Sequence, residues 1–187
     1  MAIEKGIGLP VAYRRVMSDS SEVTVREAVT SDAEGVARAH VDSWRETYYG
    51  VLDDRFFSED ALTRRLRFWT HYLSLQPRPG RMSVAVQGQR IVGFANAGDA
   101  VGPDAEHGFP PARPLHLFSI YLLAVAHGGG AGQALHDAVV GTEPAQLWVL
   151  RGNARAIAFY KRNGFAFDGI EYTDPADPNL VELRMAR

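Results

Sequence analysis

The sequence predicts an α/β fold in which a mixed, mostly antiparallel sheet is flanked by helices on both faces. Strand-like and helix-like stretches alternate along the chain, and a glycine-rich turn separates an apolar strand from a helix. The length of 187 residues and the hydrophobic content of 46% suffice for one domain with a sizeable core. We therefore expect a single domain over residues 23–187, preceded by a flexible N-terminal extension over residues 1–22.

The predicted domain begins with a strand and two amphipathic helices. Residues 23–29 alternate apolar and polar side chains, which is typical of a half-buried strand. Ser31, with Glu34 three residues later, predicts a capping box at the start of the first helix, and Gly50 predicts its end. Ser58 is a suitable N-cap for the second helix, which we expect to end in a turn rich in proline and glycine.

Two strands and a long loop follow the second helix. Residues 82–87 and 90–97 predict a tight hairpin through Gly88 and Gln89. Residues 99–114 are rich in proline and lack periodicity. Because unstructured connections of this length are uncommon in compact domains, we expect this loop to serve a function.

The second half of the chain alternates strands and helices. Residues 115–125 are dense in apolar and aromatic side chains and predict a central strand buried on both faces. The glycine-rich turn over residues 127–132 leads into a helix. A short strand over residues 146–150 then precedes a helix capped by Asn153, and two final strands complete the sheet.

Composition and charge disfavour several kinds of partner and site. The formal net charge is −2, from 20 basic and 22 acidic residues, so neither nucleic acid nor an anionic membrane is an expected partner. No apolar run approaches the ~20 residues that cross a bilayer. The chain has no cysteine, which excludes a cysteine nucleophile and fits a cytoplasmic location. Histidines and acids lack zinc-site spacing, so we expect no metal.

The turn over residues 127–132 contains four glycines between a strand and a helix. Glycine permits positive φ and close approach of a ligand to the backbone, and free N–H groups at a helix N-terminus form an anion site. A tight turn without a ligand is the alternative. Gly132 is followed by Gln133 and Ala134 instead of a P-loop lysine, and the glycine spacing does not match a dinucleotide fingerprint.

Two segments give this turn a specific context. Residues 127–135, His-Gly-Gly-Gly-Ala-Gly-Gln-Ala-Leu, resemble the acyl-CoA-binding motif Arg-Gly-x-Gly-x-Gly-x-x-Leu of the GNAT family of N-acetyltransferases. The glycines and the leucine match, whereas His127 replaces the usual arginine or glutamine. Residues 153–165 resemble the later family motif, Asn-x-x-Ala-x-x-Phe-Tyr-x-x-x-Gly-Phe. With the order of elements, the resemblance extends over about residues 23–185 and implies a GNAT-like fold.

The resemblance implies acetyl-CoA as the acyl donor. Backbone N–H groups of the turn would face its pyrophosphate, and the end of the preceding strand would pair with the pantetheine amides. Asn153 would hydrogen-bond the pantetheine, cap its helix, or do both. The cofactor-binding residues implied are Leu122, Leu123, Ala124, His127, Gly128, Gly129, Gly130, Ala131, Gly132, Gln133, Asn153 and Tyr160.

Direct attack of an amine on the thioester, also implied by the resemblance, needs three catalytic groups. The backbone N–H of Leu122 is the candidate donor to the oxyanion. Tyr160 matches the family tyrosine that protonates the leaving thiolate, with a core aromatic as the alternative. His116 lies where many relatives have a glutamate and is the candidate base, with a hydrogen-bonded strand histidine as the open alternative.

The acceptor side of the site is expected from the first two helices, their connection and the long loop. Asp53 and Asp54 either attract a cationic amine or belong to a solvated turn. Candidate contacts, which are otherwise core aromatics, are Trp44, Tyr48, Tyr49 and Phe56.

The predicted function is transfer of an acetyl group from acetyl-CoA to a primary amine of a small molecule, amino acid or peptide in a ternary complex. A CoA-binding regulatory or structural module without turnover is the alternative from another class. A nucleotide-binding protein is a third hypothesis, which the missing P-loop lysine disfavours. The sequence carries no interface signal, so a homodimer is neither predicted nor excluded.

Overall fold

The computed structural model describes residues 22–187, where the predicted order of strands and helices is present. The predicted extension over residues 1–22 lies outside the described residues except for Glu22. The strands are β1 (Val23–Glu27), β2 (Arg81–Gln87), β3 (Arg90–Asp99), β4 (Leu115–Leu122), β5 (Ala145–Leu150), β6 (Ala166–Asp174) and β7 (Asp177–Ala186). The helices are α1 (Ala33–Tyr48), α2 (Glu59–Ser74), α3 (Pro103–Glu106), α4 (Ala131–Val139) and α5 (Ala154–Arg162).

The seven strands form one sheet in the order β1-β2-β3-β4-β5-β7-β6. Every neighbouring pair is antiparallel except β4 and β5, which run parallel, so the predicted mixed sheet is confirmed. The parallel pair is held only at Leu115–Ala145 and His116–Gln146. Beyond these two positions β4 and β5 diverge, and a wedge opens between them.

Helices cover both faces of the sheet, as predicted. On one face, Val36 of α1 and Leu73 of α2 are fully buried in a cluster with Phe94 of β3. On the other face, Leu135 of α4 packs in a second cluster with Leu147 of β5. Burial of the apolar side of each helix therefore explains the helical periodicity in the sequence. Among residues 22–187, no helix combines the length and apolar character of a membrane span.

The cap of α1 differs from the prediction. Ser31 does not cap the helix, because a short 3₁₀ turn precedes it and α1 begins after Asp32. The Asp32 carboxylate accepts a hydrogen bond from the Val29 N–H at 2.8 Å and two from the Arg26 guanidinium, at 2.7 and 2.8 Å. The cap of α2 is as predicted, since the Ser58 hydroxyl oxygen accepts from the backbone of the first turn at 3.2 Å.

The long loop is ordered by a buried glutamine of β5. The Gln146 side chain donates to the Ala105 carbonyl at 3.1 Å and accepts from the Arg113 N–H at 3.1 Å. The loop also contains the single-turn helix α3. These contacts fix the loop against the end of the sheet, next to the wedge.

Strand β4 is shorter and less buried than predicted. It ends at Leu122, and Phe118 is 36% exposed, because one side of β4 borders the wedge. On its other side β3 approaches closely: a Cβ added to Gly93 would lie 2.6 Å from the backbone carbonyl oxygen of Tyr121. Only glycine therefore fits at the point where β3 supports the end of β4.

Candidate active site

A cleft of about 700 Å³ occupies the wedge between β4 and β5. One wall is formed by β4 and the glycine-rich turn, and the other by the end of β5 and by α5. Trp44 and Tyr48 of α1 and Glu182 of β7 also line it. The two sequence motifs therefore meet across this cleft, although about twenty residues separate them in the chain.

The glycine-rich turn presents free backbone donors. Gly128 and Gly130 have φ of +81° and +85°, a region that other residues rarely adopt. The first hydrogen bond of α4 runs from the Ala134 N–H to the Gly130 carbonyl, at 3.0 Å. Within the described part of the chain, no hydrogen bond engages the N–H groups of residues 128–133. Free donors at a helix N-terminus attract an anion, so the turn fits a pyrophosphate.

Not all residues predicted for the turn reach the cleft. Gly129 does not line it, and the buried Ala131 faces the core instead. The Gln133 side chain donates to Asp137 at 2.8 Å and to Asn163 at 2.7 Å, so it joins α4 to the end of α5. The members that line the cleft are His127, Gly128, Gly130, Gly132 and Gln133.

His127 links the glycine-rich turn to its two neighbours, the end of β4 and α5. Its Nε2 lies 2.8 Å from the Leu122 carbonyl oxygen, and its Nδ1 contacts the Arg155 guanidinium. A neutral imidazole protonated at Nε2 satisfies both contacts, because it donates to the carbonyl and accepts from arginine. The side chain that replaces the usual arginine or glutamine therefore ties the end of β4 to α5.

The end of β4 offers one of the three amides predicted to contact the cofactor. The Leu123 N–H donates to the Val92 carbonyl at 2.8 Å, and the Ala124 N–H donates to Glu46 Oε2 at 2.7 Å. Neither residue lines the cleft. Because N–H groups alternate in direction along a strand, the Leu122 N–H faces the open side of β4. Leu122 is thus in position, whereas the amides of Leu123 and Ala124 are used within the protein.

Tyr160 of α5 lines the cleft and is 8% exposed. Burial raises the pKa of its hydroxyl, and the phenols of Tyr121 and Tyr48 add to the effect. The group is therefore a neutral O–H donor at physiological pH. This state is the one that a general acid requires.

Asn153 caps α5 and also lines the cleft. Its side-chain oxygen accepts from the Ala156 N–H at 3.1 Å, and its side-chain nitrogen donates to the Tyr48 hydroxyl at 3.3 Å. The second contact joins α5 to α1 across the cleft. The predicted cap is confirmed, and the predicted contact with pantetheine stays a prediction.

His116 is not brought into the cleft. It lies in the last pair of residues that joins β4 to β5, below the wedge, and is 2% exposed. Its Nδ1 lies 3.2 Å from Gln146 Nε2. Burial lowers the pKa of the imidazole to about 4, with a smaller contribution from His107. The alternative, a hydrogen-bonded strand histidine, describes these surroundings, and the role of base is not assigned to it.

The acceptor end of the cleft contains three of the four predicted aromatics. Trp44, Tyr48 and Phe56 line it, whereas Tyr49 is 74% exposed and lies outside it. Asp53 and Asp54 do not line it either. The Asp53 carboxylate instead accepts from the Arg55 N–H at 2.8 Å, so it caps a 3₁₀ turn, as the solvated-turn alternative expects.

The sequence does not single out several residues that line the cleft, among them Arg155, Arg162 and the three described next. Tyr121 of β4 stacks on the buried His40 with ring centroids 5.0 Å apart. Among residues 22–187, Asp174 of β6 and Glu182 of β7 supply the two carboxylates that line the cleft. No motif marks these acids, since only the position of β7 beside β5 brings them to the wedge.

The wedge in the sheet and the free amides of the glycine turn define an α/β protein that binds a phosphate-bearing ligand along an unpaired strand end. A model of the acetyltransferase (GNAT) family matches residues 38–165. The chain therefore belongs to this family and is an acyltransferase that uses acetyl-CoA. The expected resemblance is confirmed.

Individual relatives agree with this assignment. A probable N-acetyltransferase of Mycobacterium tuberculosis is 25% identical over 156 residues, which cover 82% of this chain and 85% of that protein. An uncharacterized N-acetyltransferase of Bacillus subtilis is 30% identical over 119 residues, or 60% of each chain.

Solved structures show the same fold. PaiA N-acetyltransferase of Thermoplasma acidophilum, in complex with coenzyme A, has a TM-score of 0.63 at 17% identity and covers 89% of this chain and 98% of its own. An N-acetyltransferase of Staphylococcus aureus has a TM-score of 0.64 at 14% identity, with 88% and 100% covered. At these identities the likeness concerns the fold alone.

Proposed function

We propose that this protein transfers the acetyl group of acetyl-CoA directly to a primary amine of a small molecule, amino acid or peptide, in a ternary complex. The observation that carries the proposal is the set of unpaired N–H groups over residues 128–133, at the N-terminus of α4 and beside the open end of β4. Donors that the protein itself leaves unused fit a pyrophosphate at this place.

The residues present fit the extended cofactor. Gly128 and Gly130 let the backbone approach the pyrophosphate, and Arg155 adds a positive charge beside the turn through its contact with His127. The open edge of β4 near Leu122 suits the pantetheine amides, which pair as an added strand does. The thioester of the bound donor supplies the electrophilic carbonyl.

Two groups of the chain then act on the reaction. The Leu122 N–H donates a hydrogen bond to the carbonyl oxygen as negative charge develops there, a place where a fixed donor stabilises the transition state most. Tyr160 donates its proton to the departing thiolate, and the proton that the attacking amine loses passes to solvent, from which the Tyr160 phenolate is protonated again. Ordinary pKa values near 10 and 8.5 already make this transfer uphill by about 2 kcal/mol, and the raised pKa of the buried Tyr160 adds to the cost. Desolvation of the thiolate in the same closed space raises its own pKa and offsets this difference.

The test is release of free CoA thiol from acetyl-CoA in the presence of a panel of primary amines. We expect release that depends on both the protein and the amine, and thermal stabilisation by CoA that exceeds stabilisation by ATP or NAD. Tight binding of CoA with no release for any amine would favour a regulatory or structural module. Preference for ATP or NAD would favour a nucleotide-binding protein.

A further inference from the structure

A carboxylate at the acceptor end of the cleft has no role in the reaction as described. Glu182 of β7 lines the cleft, and its side chain is 34% exposed. Its charge adds to burial in raising the pKa of Tyr48, although the hydrogen bond from Asn153 opposes the shift. Tyr48 also lines the cleft, so Glu182 lies close to the aromatic wall built by α1.

Glu182 is held by a histidine from the long loop. His107 Nε2 lies 3.1 Å from Glu182 Oε2. The imidazole stacks on Tyr172 with ring centroids 4.0 Å apart and makes a T-shaped contact with Trp148, with ring centroids 4.9 Å apart. His107 has φ of +45°, the one positive value among the described residues other than glycine. Such a backbone persists only where the surroundings hold it, so the loop is constrained to place this imidazole on Glu182.

The second oxygen of the Glu182 carboxylate has unused hydrogen-bonding capacity. Across residues 22–187, its carboxylate has no further hydrogen bond or ion pair, so Oε1 is free to accept. The other cleft carboxylate, Asp174, already accepts from the Ala176 N–H at 2.7 Å within the β6–β7 turn. Both acids thus keep one oxygen without a partner in the described part of the chain, and Glu182 is distinguished from Asp174 by its place beside Tyr48 of the aromatic wall.

Charge is segregated along the cleft. The arginines that line it, Arg155 and Arg162, both extend from α5, and Arg155 contacts the glycine turn. The acids that line it, Asp174 and Glu182, come from β6 and β7. Cations beside the turn suit the phosphates, whereas a carboxylate at the other end of the cleft suits an organic cation. The Arg65 and Arg55 guanidinium groups already lie over the Trp44 and Phe56 rings, 5.0 and 5.1 Å from the ring centroids, so the contact with the cation is assigned to the carboxylate.

We infer that Glu182, positioned by His107, binds the ammonium group of the acceptor and selects cationic amines over uncharged arylamines. The inference rests on the proposed function for its biological meaning. Alkyl amines are protonated at neutral pH, as lysine is, so a carboxylate at the acceptor site recognises the form that is present in solution. The bound ammonium group then loses one proton to solvent before its nitrogen attacks the thioester. Trp44, Tyr48 and Phe56 then contact the apolar part of the acceptor.

The experiment compares two amines of similar size by calorimetry on CoA-saturated protein. Phenethylamine carries a positive charge at neutral pH, whereas para-ethylaniline is uncharged. We expect the wild-type protein to prefer phenethylamine and E182Q to bind it about tenfold more weakly or worse, as loss of a charged hydrogen bond predicts. We expect E182Q to bind para-ethylaniline with the same affinity as the wild type.

Two further variants separate recognition from folding. H107N keeps a residue type that tolerates the left-handed backbone but loses the contact at Oε2, so we expect a smaller loss that is also confined to phenethylamine. E171Q is the control, because Glu171 lies on β6 in an exposed ion pair with Arg151, outside the cleft. It should bind both amines as the wild type does.

The inference is overturned if wild-type protein binds neither amine or does not prefer phenethylamine, or if E182Q weakens both amines equally or neither. Because binding is measured without turnover, these outcomes do not depend on catalysis. Failure of the proposed function would show differently, as amine binding without release of CoA thiol from acetyl-CoA.

Discussion

Tyr160 and His116 are both buried, but their surroundings suit them to different roles. Tyr160 borders the cleft, whereas His116 lies in the last pair of residues that joins β4 to β5. The second motif located Tyr160 from the sequence. For His116 the sequence left two roles open, a general base and a hydrogen-bonded strand histidine, because the point at which β4 leaves β5 depends on the whole sheet.

Tyr160→Phe should separate catalysis from folding. Within residues 22–187 the Tyr160 hydroxyl has no hydrogen bond, so we expect a thermal midpoint close to that of the wild type and unchanged affinity for CoA. Turnover should fall by about 10² or more, the usual contribution of a general acid. Release of CoA thiol at saturating substrate measures it. Unchanged turnover would remove Tyr160 from the mechanism.

His116→Asn should reduce the sensitivity of the fold to acid. The folded-state pKa near 4 lies below the ordinary value of 6.5, so folding favours the neutral imidazole. The neutral imidazole contributes its full stabilisation above pH 6.5. As the pH falls towards 4 this contribution to the unfolding free energy is lost, which amounts to roughly 3 kcal/mol. We expect the variant to lose less unfolding free energy than the wild type over this range, as measured by denaturant titration.

Two comparisons make this result specific. His40 and His136 also have lowered pKa values, chiefly through burial, so part of the acid sensitivity remains in His116→Asn. The exposed His71→Asn should leave the pH dependence of the wild type intact. An identical pH dependence in His116→Asn and the wild type would contradict the assignment of a buried neutral imidazole.

At the scale of elements, local signals located the turn, the hairpin and two helix caps, because each depends on a few neighbouring residues. They did not predict which amides stay free. The Ala124 N–H is engaged by Glu46, from a helix 78 residues earlier in the chain, and Asp32 replaces Ser31 at the start of α1. Choices of this kind depend on contacts between elements, which periodicity does not contain.

Gly130→Ala tests the glycine turn against a matched position. Gly130 and Gly88 both have positive φ, and an added Cβ meets nothing within 4 Å at either. Alanine should therefore destabilise both sites by a similar amount, about 1 kcal/mol. Only Gly130→Ala should weaken CoA, by about tenfold, because only this turn offers donors to the pyrophosphate. Calorimetry measures the affinities, and equal affinities in the two variants would contradict the proposed cradle.

At the scale of the whole molecule, the cofactor half of the cleft was more predictable than the acceptor half. The cofactor half uses two motifs that are continuous in sequence. The acceptor half draws on α1, the long loop and β7, whose proximity follows from the strand order β4-β5-β7-β6. Glu182 could therefore be recognised as a cleft residue only from the assembled sheet. The fold class, in contrast, was predictable from the alternation of elements.

The most direct measurement follows the acetyl group itself. Acetyl-CoA labelled in the acetyl group is incubated with the protein, with and without a primary amine, and the label is traced by mass spectrometry. Direct transfer predicts labelled amine in equal amount to free CoA, and no label on the protein when amine is omitted. Bound CoA without labelled amine from any acceptor, or label retained on the protein, would contradict the account.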